Sequence, residues 1–195
     1  MYDLIWSDLI RGGGLPALLK YYRHCPAMLA LHIAGALIAW FAPVDVLGQY
    51  PVLRSLASMA GDISPVVNSA ANKSAFPEVT ELYFAVMYIS MPMRVFDGVR
   101  IFYLERNYTL WKMRASLRGR ILVSLSLIFF FGFGIIALVF GRPYYEINIM
   151  PISQSRIWLG LIGPIFAGGM EVFGISVGLV WTYIFFSWMR SKFWG

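Results

Sequence analysis

Residues 157–189 hold 33 positions with a single charge, Glu171, and residues 121–141 hold 21 positions with none. Apolar runs of that length are matched to one solvent. A helix needs about 20 mostly apolar residues to cross a hydrocarbon core of ~30 Å. A soluble chain of 195 residues would bury only about 70% of its surface on folding, and two such runs would leave it large sticky patches. The composition points the same way. Hydrophobic residues make up 59% of the chain and charged residues 13%, against roughly 45–50% and about 25% in ordinary globular domains. The expectation is an all-α polytopic membrane protein.

The remaining segments fill in the organisation. Residues 1–25 read as an amphipathic N-terminal segment, with Tyr2, Leu4, Ile5, Trp6, Leu9 and Ile10 set against Asp3, Ser7, Asp8 and Arg11. Gly12-Gly13-Gly14 breaks it before a short basic helix that starts near Pro16; both parts suit the headgroup region. A first span follows at 26–42 and ends at Pro43. As a leader it would have a 25-residue basic region and Trp40 three places before the cut, so an uncleaved anchor is expected. Within the mostly polar connection 43–80, Val52, Leu53, Leu56, Met59, Ala60 and Ile63 keep a helical period. That predicts a helix lying on the membrane, then a Pro-, Ser- and Asn-containing linker from Pro65 to Pro77.

The second span is the weakest, because only the 12 residues Leu82–Met93 are free of charge, which cover about 18 Å at 1.5 Å per residue. It is placed at 79–98 and continued as a helix into the aqueous phase. The third span is 121–141. The fourth, 164–189, lies in an Arg156–Arg190 stretch too long for one perpendicular crossing, so it tilts or begins with a shallow segment before Pro164 and Gly168-Gly169. Residues 26–195 thus form a four-helix membrane domain.

Charge orients it. The chain carries a net +6. In a four-span chain Arg11, Lys20, Arg23, Arg94, Arg100, Arg106, Lys112, Arg114, Arg118, Arg120, Arg190 and Lys192 fall on one side. Only Arg54, Lys73, Arg142 and Arg156 fall on the other. The positive-inside bias places the first group in the cytoplasm with both ends of the sequence, in a bacterial inner membrane. A three-span chain would mix the basic cluster with the acidic loop. The bias sets orientation and gives no reason to expect a nucleic-acid partner.

Few residues carry candidate chemistry. Glu171 is an intramembrane carboxylate, a functional candidate by default; counted from Trp188 it lies about 25 Å from the cytoplasmic interface, near the outer surface, where Arg142 or Arg156 could meet it. His32, alone in the first span, is expected to bond to a neighbouring helix. Arg94, Asp97 and Arg100 recur every three residues on one face and read as a self-paired, solvated face rather than a buried relay. Lys112, Arg114, Arg118 and Arg120 are expected to bind anionic lipid headgroups, at ~1 kcal/mol each. Gly174, Gly178 and Thr182 make a stripe of small residues that lets helices approach closely, within the bundle or against another membrane protein. Cys25 stands alone, so there is no disulfide framework.

No Ser-His-Asp or Cys-His pattern, HExxH, P-loop or dinucleotide fingerprint occurs, nor any inverted repeat of the transporter kind. No enzyme, cofactor or metal is expected. The partners expected are the lipid bilayer, anionic headgroups and the helices of other membrane proteins. An accessory subunit of a larger secretion or transport assembly, acting by helix–helix recognition, fits first; a small channel or transporter using Glu171 is an alternative. A third reading comes from likeness. The span layout, with Ile63-Ser64-Pro65-Val66-Val67, Lys73-Ser74-Ala75-Phe76-Pro77 and Gly141-Arg142-Pro143, resembles the four-span immunity proteins against colicin-A-type pore-forming toxins. That resemblance implies binding of a toxin's helical hairpin in the membrane before its pore opens, with external loops and helix faces recognising it.

Overall fold

Prolines punctuate this chain, and four of the eight described helices start on them. The computed structural model describes residues 22–104, 116–118, 121, 122, 124–126, 128, 129, 132 and 149–193. Among them every regular element is helical: α1 (Pro26–Phe41), α2 (Val46–Gln49), α3 (Pro51–Ile63), α4 (Pro65–Lys73), α5 (Pro77–Ile89), α6 (Met91–Leu104), α7 (Arg156–Phe166) and α8 (Gly169–Phe193). Pro26, Pro51, Pro65 and Pro77 each take the first helical position, where the missing N–H costs nothing and φ is already set. The residues before two of them, Tyr50 and Ser64, are extended, as a following proline ring requires.

The all-α expectation holds for the described residues. One apolar helical stretch among them, Arg156–Arg190, is long and apolar enough to cross a membrane. The apolar helix α1 has 16 residues, about 24 Å at 1.5 Å per residue. Of the expected third span, Ile121, Leu122, Ser124, Leu125, Ser126, Ile128, Phe129 and Gly132 are described, and all are helical.

Two expected segments, the second span and the linker after Ile63, take a different local form, and the fourth span takes one of the two forms expected of it, a separate segment before Gly168-Gly169. The second span is not one helix: α5 ends at Ile89, and Ser90, at φ −79 and ψ 0, makes a turn before α6. Pro92 lacks the N–H that the Tyr88 carbonyl would accept in a continuous helix, and the Ser90 hydroxyl instead donates to Met87 O at 3.1 Å. The fourth span is broken at Ala167-Gly168, with Gly168 at φ 77, a left-handed conformation that suits glycine. The linker after Ile63 is in part the helix α4, which buries Val67, Ala70 and Ala71.

Two compact units divide the chain. Unit 1 comprises Met1–Leu29, Arg94–Ile135 and Val172–Gly195; unit 2 comprises Ala30–Met93 and Ile136–Glu171. In unit 2, α5 is the central helix, with Val79, Thr80, Leu82, Tyr83, Phe84, Ala85, Met87 and Tyr88 buried, and α2, α3 and α4 pack on it. Glycines let α1 and α7 close in. Gly35 of α1 faces Met87 and the Tyr83 ring, Gly163 of α7 faces the same ring, and Gly160 lies against the Trp40 indole. In unit 1, α6 meets α8 where Gly98 faces Ser176. The Ser176 hydroxyl donates to Val95 O at 3.2 Å, and Val180 and Ile184 form a core with Val99, Trp181, Phe185 and Trp188 around them.

Candidate functional site

Polar side chains in unit 2 are largely committed to holding loops. The Glu78 carboxylate accepts from the backbone N–H groups of Leu47 at 2.7 Å and Gly48 at 3.0 Å. It thereby serves donors of the short helix α2 that its own N-cap, Asp45, leaves unmet. Such terminal N–H groups have no partner inside the helix. The Ser74 hydroxyl and the Ala75 N–H both reach the Ser153 carbonyl, at 3.2 and 2.9 Å. Arg156 donates through Nη1 to the Ala42 carbonyl at 2.7 Å, across 114 residues of sequence, and its guanidinium lies 5.5 Å from the Phe76 ring centroid. A cation at that carbonyl closes the C-terminus of α1, where the helix dipole is negative.

Glu171 belongs to this group. It lies in the first turn of α8, where the dipole favours a carboxylate, and the Tyr88 hydroxyl donates to its Oε1 at 3.2 Å. Of the two arginines expected near it, Arg156 is held by Ala42 and Phe76 instead, and Arg142 lies outside the described residues. His32 is half-buried on α1.

Unit 1 holds a different cluster. Arg94 is 2% exposed and Asp97 6%, whereas Arg100 is exposed. The expected solvated face is therefore solvated only at its last member, because α6 turns the other two toward the interior. Asp97 Oδ2 is buried and accepts no hydrogen bond among the described residues. Cys25 is buried with its Sγ 3.9 Å from the Asp97 carbonyl oxygen. Burial pushes the Cys25 thiol up to about 11; the Asp97 carboxylate adds to the rise and Arg100 opposes it.

The small-residue stripe faces inward. Gly174 and Gly178 are buried and Thr182 is half-buried, while the outward row of α8 is Leu179, Tyr183 and Phe186. Arg118 is helical and exposed; Lys112, Arg114 and Arg120 lie outside the described residues, as do residues 1–21. Sequence reading missed the glycines that matter in unit 2, namely Gly35, Gly160 and Gly163. Gly160 and Gly163 carried a signal, a G-x-x-G pair about one helical turn apart, and Gly35 carried none of that kind.

Among the described residues no three His, Cys, Asp or Glu side chains gather to hold a metal ion. What the arrangement offers instead is surface. Rows of large apolar side chains point outward on α1 (Ile33, Leu37, Phe41), α7 (Ile157, Leu161, Ile165) and α8. Compared with protein-family models, curated proteins and solved structures, the chain finds no match.

Proposed function

We propose that this protein is a non-enzymatic integral membrane protein of four antiparallel spans, an accessory subunit that joins a larger inner-membrane assembly by helix–helix recognition. One observation supports the four-span reading. The boundary between the two units falls at 29/30, 93/94, 135/136 and 171/172, once inside each of the four expected spans. Unit 1 gathers every segment that the charge bias assigns to the cytoplasm, and unit 2 every segment assigned to the outer side. Twelve of the 16 Lys and Arg residues belong to unit 1 and four to unit 2. A soluble helical domain has no reason to divide along its basic residues; a chain inserted under the positive-inside rule does.

The subunit reading is supported by where the polar groups and the apolar rows lie. Glu78, Ser74, Arg156 and Glu171 are occupied in holding the fold, which leaves the outward rows of α1, α7 and α8 as the surface for recognition. Two of the three stretches that resemble immunity proteins have structural tasks here: Ser64-Pro65 starts α4, and Ser74 to Pro77 anchors the Ser153 loop and starts α5; Gly141-Arg142-Pro143 lies outside the described residues.

Purification of the tagged full chain from its native membrane in mild detergent tests the reading. A fixed-stoichiometry complex is expected, lost in the Tyr183→Ala/Phe186→Ala variant while the variant itself still inserts. A chain that stays alone and protects cells from pore-forming toxins would replace the subunit by the immunity reading. Transport that disappears in Glu171→Gln would replace it by a channel.

A further inference from the structure

Helix α3 has three faces rather than two. At 3.6 residues per turn, Val52, Leu56, Met59 and Ile63 fall on one line along it. Ala57, Ala60 and Gly61 are buried on a second face, where Gly61 meets Asn68 of α4 and the helix packs on α5. Arg54, Ser55, Ser58 and Asp62, all exposed, form the third. The usual arrangement of a soluble amphipathic helix is thereby largely reversed: apart from half-buried Leu53, the residues facing the protein are small, and of the large apolar row Val52, Met59 and Ile63 are exposed and Leu56 is half-buried. Val52 is 78% exposed, Met59 52% and Ile63 71%.

We propose that α3 lies in the plane of the membrane interface, with Val52, Leu56, Met59 and Ile63 inserted among lipid acyl chains and the Arg54–Asp62 face in the headgroup and water layer. The inference deepens the membrane reading above and rests on it. Leaving the row in water would forgo the gain from removing its apolar surface from water. Lipid rather than a protein partner fits for three reasons. The row has no Trp, Tyr or Arg, the residues that anchor protein interfaces, and it includes Leu and Val, which are under-represented there. The polar face carries one cation and one anion, so it offers no charge pattern that would select a partner. Tyr50, half-exposed at the N-cap of α3, is the residue type that sits at membrane–water interfaces.

The test uses the full chain reconstituted in phosphatidylcholine–phosphatidylglycerol vesicles. The background is Cys25→Ala, checked for unchanged helicity. Single cysteines at Val52, Met59 or Ile63, and at Ser55, Ser58 or Asp62, are labelled with an environment-sensitive fluorophore. Probes on the first row should be quenched about twofold or more by lipids brominated near the headgroup, and protected from aqueous iodide, as an interfacial helix buried ~5–10 Å deep requires. Probes on the second row should show the reverse. A Leu179→Cys probe on α8, nine residues from Trp188 and so about 14 Å into the hydrocarbon, serves as the control for membrane residence and is read with lipids brominated deep in the acyl chains. First-row probes shielded from both quenchers would mean that a protein covers the row, a second copy if dilution with unlabelled chain changes the signal. Equal iodide quenching of both rows would put α3 in water. Either result overturns the proposal. If Leu179→Cys is still quenched by lipid, α3 alone is refuted; if it is not, the membrane reading falls too.

Discussion

Adding one methyl group at Gly163 tests the central packing of unit 2. A Cβ built there would lie 2.6 Å from the Tyr83 hydroxyl oxygen and 2.8 Å from two of its ring carbons, separations that real Cβ contacts do not reach. The ring has nowhere to retreat. Tyr83 is fully buried, and on the α1 side its Cε2 already sits 3.1 Å from the Cβ position of Gly35. Overpacking of this kind costs about 1–3 kcal/mol. Alanine also loses the freedom that lets glycine stay helical before Pro164, since a Cβ clashes with the following proline ring. Against this stands the better helix propensity of alanine, about 0.8–1 kcal/mol. Gly163→Ala should therefore lose ~1–2 kcal/mol, roughly a 5- to 30-fold shift toward the unfolded state. At Gly132 a Cβ meets nothing within 4 Å, so Gly132→Ala should be neutral or stabilise by up to ~1 kcal/mol. Reversible unfolding in mixed micelles with increasing SDS, followed by tryptophan fluorescence and helicity, measures both. A double-mutant cycle with Tyr83→Leu should recover at least ~0.5 kcal/mol of the loss. Gly163→Ala as stable as the parent, or as stable as Gly132→Ala, would refute the reasoning.

Two further outcomes follow from other contacts. Arg156→Gln removes a charged hydrogen bond to Ala42 O and the contact with Phe76, and should cost about 2 kcal/mol in the same SDS titration, with faster proteolysis around residues 149–156; an unchanged midpoint would mean that the clamp is idle. Cys25, with its thiol held near 11, should react with a water-soluble maleimide at pH 8 about a hundredfold more slowly in the folded protein than after unfolding. The same shift has a sign for stability. The folded state keeps its proton while the unfolded thiol releases one, so this contribution is intact below pH 8 and falls as pH rises from about 9 to about 11. A folded thiol that labels as fast as the unfolded one would contradict its burial.

Local signals were read well because they act locally. The first helix was expected at 26–42 and runs Pro26–Phe41; the period from Val52 to Ile63 became α3. Apolar positions at helical spacing and prolines at first helical turns depend on neighbours a few residues away, which a sequence displays. The second span is the weakest by hydropathy, yet its first half is the most enclosed of the described helices of unit 2. Hydropathy reports what a helix can show to lipid, and α5 shows little: Thr80, Tyr83 and Tyr88 face protein. A polar residue inside a bundle can find a partner that a lipid-facing one cannot.

The sequence by itself determined where the described helices begin and how apolar and basic residues are distributed along the chain, since these follow from composition, charge placement and short-range sterics. Tertiary structure decided which small residues are closely approached and which polar ones are spent on loops. It set Tyr83 between Gly35 and Gly163, carried Arg156 back to the end of α1, and turned Gly174 and Gly178 inward so that Leu179, Tyr183 and Phe186 face out. Those choices depend on the three-dimensional position of residues far apart in the chain, and no periodicity or spacing encodes a contact made across 114 residues.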